Sequence, residues 1–369
     1  MKNAPAPLDL KKIKVLPLAK RRSLSKLDDL LLDPDQPPPP CPPATLAAIK
    51  NCAANIQAAR ERDASVVLMF GAHLVKNGLM SIVNRLAKLD ALTHLATNGA
   101  GVIHDWELAF LGRTAECVRE NVATGTFGTW DETGRNLHLA LLAGALHGQG
   151  FGQSLGRFIE EDGATLPLIP DLEKDLRATP SHPLAPARAE LLRAMVAHKL
   201  PAGRNAVKHP HKKTSLLAYA FRHSIPFTVH PGIGYDIFTC HPMFRGAVIG
   251  RAADTDFRLL GGTLDRLDGG VVLSVGSAIM APQVFEKSLS CVNNLRLQAG
   301  KKIVSDHSIY VVDLQDGGNW DWTKGEPPKE SAAYYLRFCK SFSRMGGAMH
   351  YAQCDNAVFL HNLLHCLKA

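Results

Sequence analysis

Short apolar runs that close on a glycine-bearing or polar turn recur five times along the chain, each followed by a helix-like segment. They are Val66–Phe70 into Gly71, Leu92–Ala96 into Thr97-Asn98-Gly99-Ala100-Gly101, and Phe227–Val229 into His230-Pro231-Gly232-Ile233-Gly234. The last two are Val271–Leu273 into Ser274-Val275-Gly276 and Ile309–Val312 into a turn that runs from Asp313 to Gly318. Unbroken apolar runs of this length suit strands buried on both faces, as in a parallel sheet covered by helices. The pattern predicts an α/β fold: one large Rossmann-like domain with a mainly parallel sheet flanked by helices. Ligands of such sheets bind beyond the carboxyl ends of the strands, which is where the glycines fall.

The remaining segments divide the chain unevenly. Residues 1–44 begin basic and end in Pro37–Pro40 and Pro42-Pro43. A proline tract favours the extended polyproline conformation and builds no packed core, so this stretch reads as a flexible tail. The domain then spans 45–369. It opens on a helix with Thr45 as N-cap and Ile49, Cys52, Ala53 and Ile56 at helical spacing. A second helix is expected over Leu137–Leu146. The clearest covers 282–299, where Val284, Phe285, Leu289, Val292 and Leu295 share a face before Gly300. Residues 160–212, with seven prolines and no period-two pattern, read as a helical and loop excursion.

Composition narrows the class. Of 369 residues 46% are hydrophobic, enough for a sizeable core, and the formal charge is +8. Part of that excess sits in the first 26 residues, and no basic-aromatic motif for nucleic acid accompanies it. Eight scattered cysteines contain no C-x-x-C, and no run of about eighteen apolar residues appears. A reduced, cytoplasmic protein without a membrane span is the expectation.

Candidate chemistry gathers at the turns. Asn98-Gly99-Ala100-Gly101 carries the first two glycines of a dinucleotide fingerprint, with His104 where the third belongs. Such a turn serves phosphate because its backbone N–H groups can approach the anion, and it serves equally as a ligand-free strand-to-helix turn. Of five histidines between His209 and His241, His209 and His211 sit beside Lys212 and Lys213, read as a surface loop rather than a metal site. His230 follows a strand directly and is expected to face the cleft. The segment from Asp313 to Trp322 concentrates three carboxylates, two indoles and a glycine pair. Carboxylates with aromatic faces suit a cationic amine; the alternative is a capped loop with its tryptophans packed on the domain edge.

The order of these segments resembles the deoxyhypusine synthase family. Phe70–Gly78 resembles its first turn, Thr97–Asp105 its threonine-alanine-glycine-glycine-valine turn, and Gly269–Gly276 its glycine-rich fourth strand. Phe110-Leu111-Gly112, Val118–Asn121, Tyr351-Ala352 and Asp355–Phe359 are similar to further family pieces. The resemblance implies NAD as cofactor and a homotetramer. It also implies a polyamine-type substrate carried as an imine on a lysine. On this basis Gly71, His73, Asn98, Gly99, Gly101, Gly276, Asp313 and Asp355 would bind the cofactor. Asp316, Trp320 and Glu330 would bind the amine. The family's catalytic lysine falls at Leu336, and Lys340, one helical turn on, is the nearby amine. Ile103 and His104 stand where the family has paired glutamates, and His230 where it has an aspartate. Lys340, His230 and His104 are therefore the catalytic candidates, and deoxyhypusine synthesis itself is disfavoured. Two readings follow: an NAD-binding protein acting on an amine or other small substrate by oxidation or aminoalkyl transfer, or a non-catalytic binding or scaffold member of the fold.

Overall fold

The computed structural model describes residues 5–368. Six parallel strands form the central sheet: β1 Val66–Phe70, β2 His94–Asn98, β3 Phe227–His230, β4 Val271–Val275, β5 Ser308–Asp313 and β6 Ala348–Gln353. Their spatial order is β6-β5-β4-β1-β2-β3, the 3-2-1-4-5-6 order of doubly wound dinucleotide-binding sheets read from the other edge. All five pairings are parallel. The α/β expectation and four of the five apolar runs match closely. Leu92–Ala96 shifts two residues, because Thr93 instead caps Val66 through its hydroxyl. β6 was not anticipated, since Ala348-Met349-His350-Tyr351 lacks an apolar run: it is an edge strand with only part of its surface covered.

Alternation along the strands builds two cores. Val66, Leu68 and Phe70 face helices α1 (Pro43–Glu61), α2 (Gly99–Leu111), α3 (Phe151–Glu160) and α6 (Asn356–Lys368). Val67 and Met69 face α4 (Gly246–Leu264) and α5 (Met280–Gln298), where Leu260, Leu264, Phe285 and Leu289 meet them. α1 starts at Pro43, two residues before the expected Thr45 cap. Proline suits the first helical position, whose N–H would be unpaired in any case. The excursion at 160–212 contains helices at Ile169–Ala178 and Ala185–His198 and an antiparallel pair, Gly163–Leu166 with Gly203–Ala206.

The amino-terminal segment corrects the expectation of a tail; residues 1–4 lie outside the described residues. Leu18 is fully buried, and Leu16 exchanges backbone hydrogen bonds with Thr129 and Asp131. Ser25–Lys26 pairs antiparallel with Arg113–Thr114. The proline tract lies along α6, whose Asn362 donates to the Pro39 carbonyl at 3.0 Å. What composition could not convey is that polyproline backbone, with its free carbonyls, can be clasped by side chains. His209 also departs from the surface reading. It is buried against the rings of Trp106, Phe110 and Phe158, and burial holds its pKa down at about 4.

One buried carboxylate ties three elements together. Asp256 of α4 accepts the β3 N–H of Val229 at 2.7 Å and the N–H of Gly152 at the start of α3 at 3.0 Å. Its Oδ1 has no hydrogen-bond partner among the described residues, and burial raises its pKa to about 7. In the unfolded chain the group titrates near 3.8. The folded state therefore holds the extra proton between these values, and this contribution to stability falls as pH rises from about 4 to about 7. Asp256→Asn, a neutral mimic of the protonated form, is expected to flatten that slope, by an amount on the order of a few kcal/mol across the window. Urea unfolding at a series of pH values checks it: parallel wild-type and variant curves would refute the assignment.

Candidate functional site at the carboxyl rim of the sheet

The switch in strand order lies between β1 and β4, where a crevice opens in sheets of this topology. Gly71 and Gly276 meet there. A Cβ on Gly71 would stand 2.2 Å from the Gly276 carbonyl oxygen, and Gly276, at φ +58°, packs on Asn356. These glycines let two strand ends touch. Beyond them, Ala72 and His73 open the short helix Ala72–Lys76. Their N–H groups precede the first helical hydrogen bond and are available to an anion. His73 is exposed on this turn.

The second glycine turn is filled. Asn98 caps α2 by accepting the Gly101 N–H at 2.9 Å. Gly99 has no Cβ because the Asp236 carboxylate occupies that space, 2.1 Å from where one would stand, and Gly101 makes room for the Thr97 hydroxyl. Asp236 accepts the Gly232 N–H at 2.7 Å and is pushed up to about 6 by burial. The chain's own carboxylate thus packs against the first residue of α2. Gly99 and Gly101, expected to contact the cofactor, are packed against the Asp236 carboxylate and the Thr97 hydroxyl.

Two cavities flank the switch point. Over β2 and β3 lies one of about 240 Å³, lined by Arg21, Lys76, His104, Glu107 and Asp236 among others. Arg21 makes two 2.7 Å bonds to the two carboxylate oxygens of Glu107, with both side chains almost fully buried. Glu107 also accepts from the hydroxyls of Thr114 at 2.6 Å and Thr133 at 2.9 Å. His104 Nδ1 lies 2.7 Å from Thr114 Oγ1. Sequence reasoning found only His104 here; Arg21 was masked by the tail reading, and Glu107 lay anonymously inside a helix. The helical spacing of His104 and Glu107 was the available signal.

Over β5 and β6 lies a cavity of about 310 Å³ lined by Asp316, Trp320, Asp321, Trp322, His350 and Tyr351 among others. Trp320 and Trp322 fix their indoles by donating to the Gly325 and Gly317 carbonyls. Tyr351 donates to the Gln315 carbonyl at 2.6 Å. The expected pairing of Asp316 with Trp320 is present, joined by Asp321, His350 and Tyr351. Glu330 is exposed and lines neither cavity. Lys340 also lies outside both: its ammonium sits 3.6 Å from the centre of the Tyr334 ring, a cation–π contact.

The remaining candidates have local partners. His230 does not point into the crevice; its Nε2 lies 3.1 Å from Thr228 Oγ1, which also meets His94 on the sheet face under α4. Burial holds the His230 pKa at about 4, and it reads as a wall residue. Asp313 accepts the Gln315 N–H at 3.1 Å, and Asp355 accepts the Ala357 N–H at the start of α6. No helix among the described residues is long and apolar enough to cross a membrane.

No family model matches the sequence, and no curated protein matches it significantly. Among solved structures the chain is similar to unliganded AgrE, with a TM-score of 0.43 and 13% identity, covering 88% of this chain and 33% of that one. AgrE has also been solved with ornithine and NAD+. A second is ArgZ, an arginine dihydrolase from the ornithine–ammonia cycle in cyanobacteria, with a TM-score of 0.42 and 10% identity over 88% and 31% of the two chains. A third is a conserved putative LOR/SDH protein from Methanococcus maripaludis S2, with a TM-score of 0.42 and 13% identity over 96% and 74%. The chain spans about one third of the length of AgrE and ArgZ. Similarity of this degree assigns neither activity nor ligand. None of the three is described as a deoxyhypusine synthase, so that family is not shown.

The Arg21–Glu107 pair gives a direct test. Removing one partner of a buried ion pair leaves the other charge uncompensated, at a cost of roughly 3–5 kcal/mol. Arg21→Met is expected to lose about that much in denaturant unfolding, whereas Arg22→Met, at an exposed neighbour, should lose less than about 1 kcal/mol. Equal losses would refute the site wall described above.

Proposed function

We propose that this chain binds NAD across the switch point of its sheet and acts on a small amine by oxidation. The observation that carries the reading is the 3-2-1-4-5-6 parallel order, with its crevice at the ends of β1 and β4. The N–H groups of Ala72 and His73 are suited to the pyrophosphate, and Gly71 and Gly276 keep the strand ends close beneath it. NAD would supply the hydride acceptor. The chain's part is to hold the amine, and the cavity over β5 and β6 offers Asp316 and Asp321 for charge and Trp320 for a cation–π face. With Lys340 turned to Tyr334, aminoalkyl transfer through an imine on that lysine is the less supported branch.

A second reading, a non-catalytic binding or scaffold protein, is favoured by one observation. The Asp236 carboxylate packs against Gly99 of the second glycine turn, a like charge beside any phosphate brought there. Thermal denaturation separates the two. A ligand that binds only the folded state stabilises it by roughly 2.7 kcal/mol at a hundredfold excess over its dissociation constant, enough to raise Tm by several degrees. The expected outcome is such a rise with millimolar NAD, reduced by Gly71→Val, which would force the β1 and β4 ends apart. An unchanged Tm at millimolar NAD would favour the scaffold reading.

A further inference from the structure

The cavity over β2 and β3 is built around a histidine whose proton position is fixed. Glu107, held by two Arg21 N–H groups, is an acceptor only. The single Thr114 proton goes to Glu107 Oε2 at 2.6 Å, so Thr114 Oγ1 must accept from His104 Nδ1–H. That leaves Nε2 as a lone-pair acceptor, with no partner among the described residues, on a ring that lines the cavity. Burial, with Lys76 and Arg21 nearby, holds the ring pKa at about 4 and keeps it neutral.

The other polar groups complete an asymmetric set. Lys76 makes no ion pair among the described residues and lines the same space. Asp236, titrating near 6, is mostly ionised at neutral pH. Ile103, Val118, Phe127 and Ile237 supply an apolar wall. Arg21 and Glu107 are paired with each other, and Glu116 accepts from Asn121, Gly128 and Trp130; the remaining cation, carboxylate, neutral acceptor and apolar wall match a small zwitterion with an apolar side chain. At about 240 Å³ the space falls below the roughly 300–1,000 Å³ of pockets for drug-sized ligands. From this juxtaposition we propose that the cavity is a binding site for a small apolar α-amino acid, its carboxylate on Lys76 and its ammonium on His104 Nε2 and Asp236. Thr114 is a positioning residue that acts through the His104 tautomer. The proposal goes beyond the NAD reading and does not require it.

The test uses the full chain without NAD. The His104 ring resonances, assigned by their loss in His104→Gln, are followed by NMR as L-valine, isovalerate or isobutylamine is added. L-valine is expected to shift them saturably. Isovalerate, lacking the ammonium, and isobutylamine, lacking the carboxylate, should each bind at least about tenfold more weakly, the factor that corresponds to roughly 1.4 kcal/mol. Lys76→Met should weaken L-valine binding by a similar factor with the wild-type spectrum otherwise retained. In Thr114→Val the ring nitrogen shifts should report mixed tautomers instead of Nδ1–H alone. No shift with L-valine at tens of millimolar would overturn the proposal. So would equal affinity for the singly charged analogues, or unaltered L-valine binding in Lys76→Met. These outcomes are independent of the thermal response to NAD, so each reading fails or survives separately.

Discussion

The buried pairing of Arg21 with Glu107 is the constraint on which the rim of this fold depends. Each charge alone in the interior would be strongly destabilising; together, with two threonine hydroxyls on the carboxylate, every lone pair that matters is occupied. The pair welds an amino-terminal segment to the first helix after β2. That weld closes one side of the His104 cavity and, through Thr114, decides which nitrogen of that histidine carries the proton. A stability feature and a chemical feature are here the same set of bonds.

The sheet was legible in the chain because its signal is local. Val66–Phe70 and Val271–Val275 are buried at every residue, and burial on both faces writes itself as an unbroken apolar run. The edge strand Ala348–Gln353 escaped because an edge is only partly covered. The proline tract misled because composition reports what a segment cannot do alone, not what α6 can do to it. Glycine was the most ambiguous letter: those at Gly71, Gly99 and Gly101 mark close approach, but to a carbonyl, a carboxylate and a hydroxyl of the chain itself.

The site was less legible than the fold, for a physical reason. Arg21 and Glu107 are 86 residues apart, and nothing near either one foretells the other. The acidic-aromatic turn after β5 was readable because its members are sequence neighbours. By contrast, Lys340 was picked by counting from a motif, and the short helix Arg337–Ser343 sends its ammonium to Tyr334 instead.

The strand order also bears on how the chain is made. β1 leaves the ribosome early, yet one of its two partners, β4, follows roughly two hundred residues later. At ~5–20 residues per second that is ~10–40 s of synthesis during which the apolar Val66–Phe70 edge has no mate on that side. Unpaired edges of this kind invite association with other chains. A doubly wound sheet whose central ribbon is synthesised first carries that open edge through much of its own synthesis.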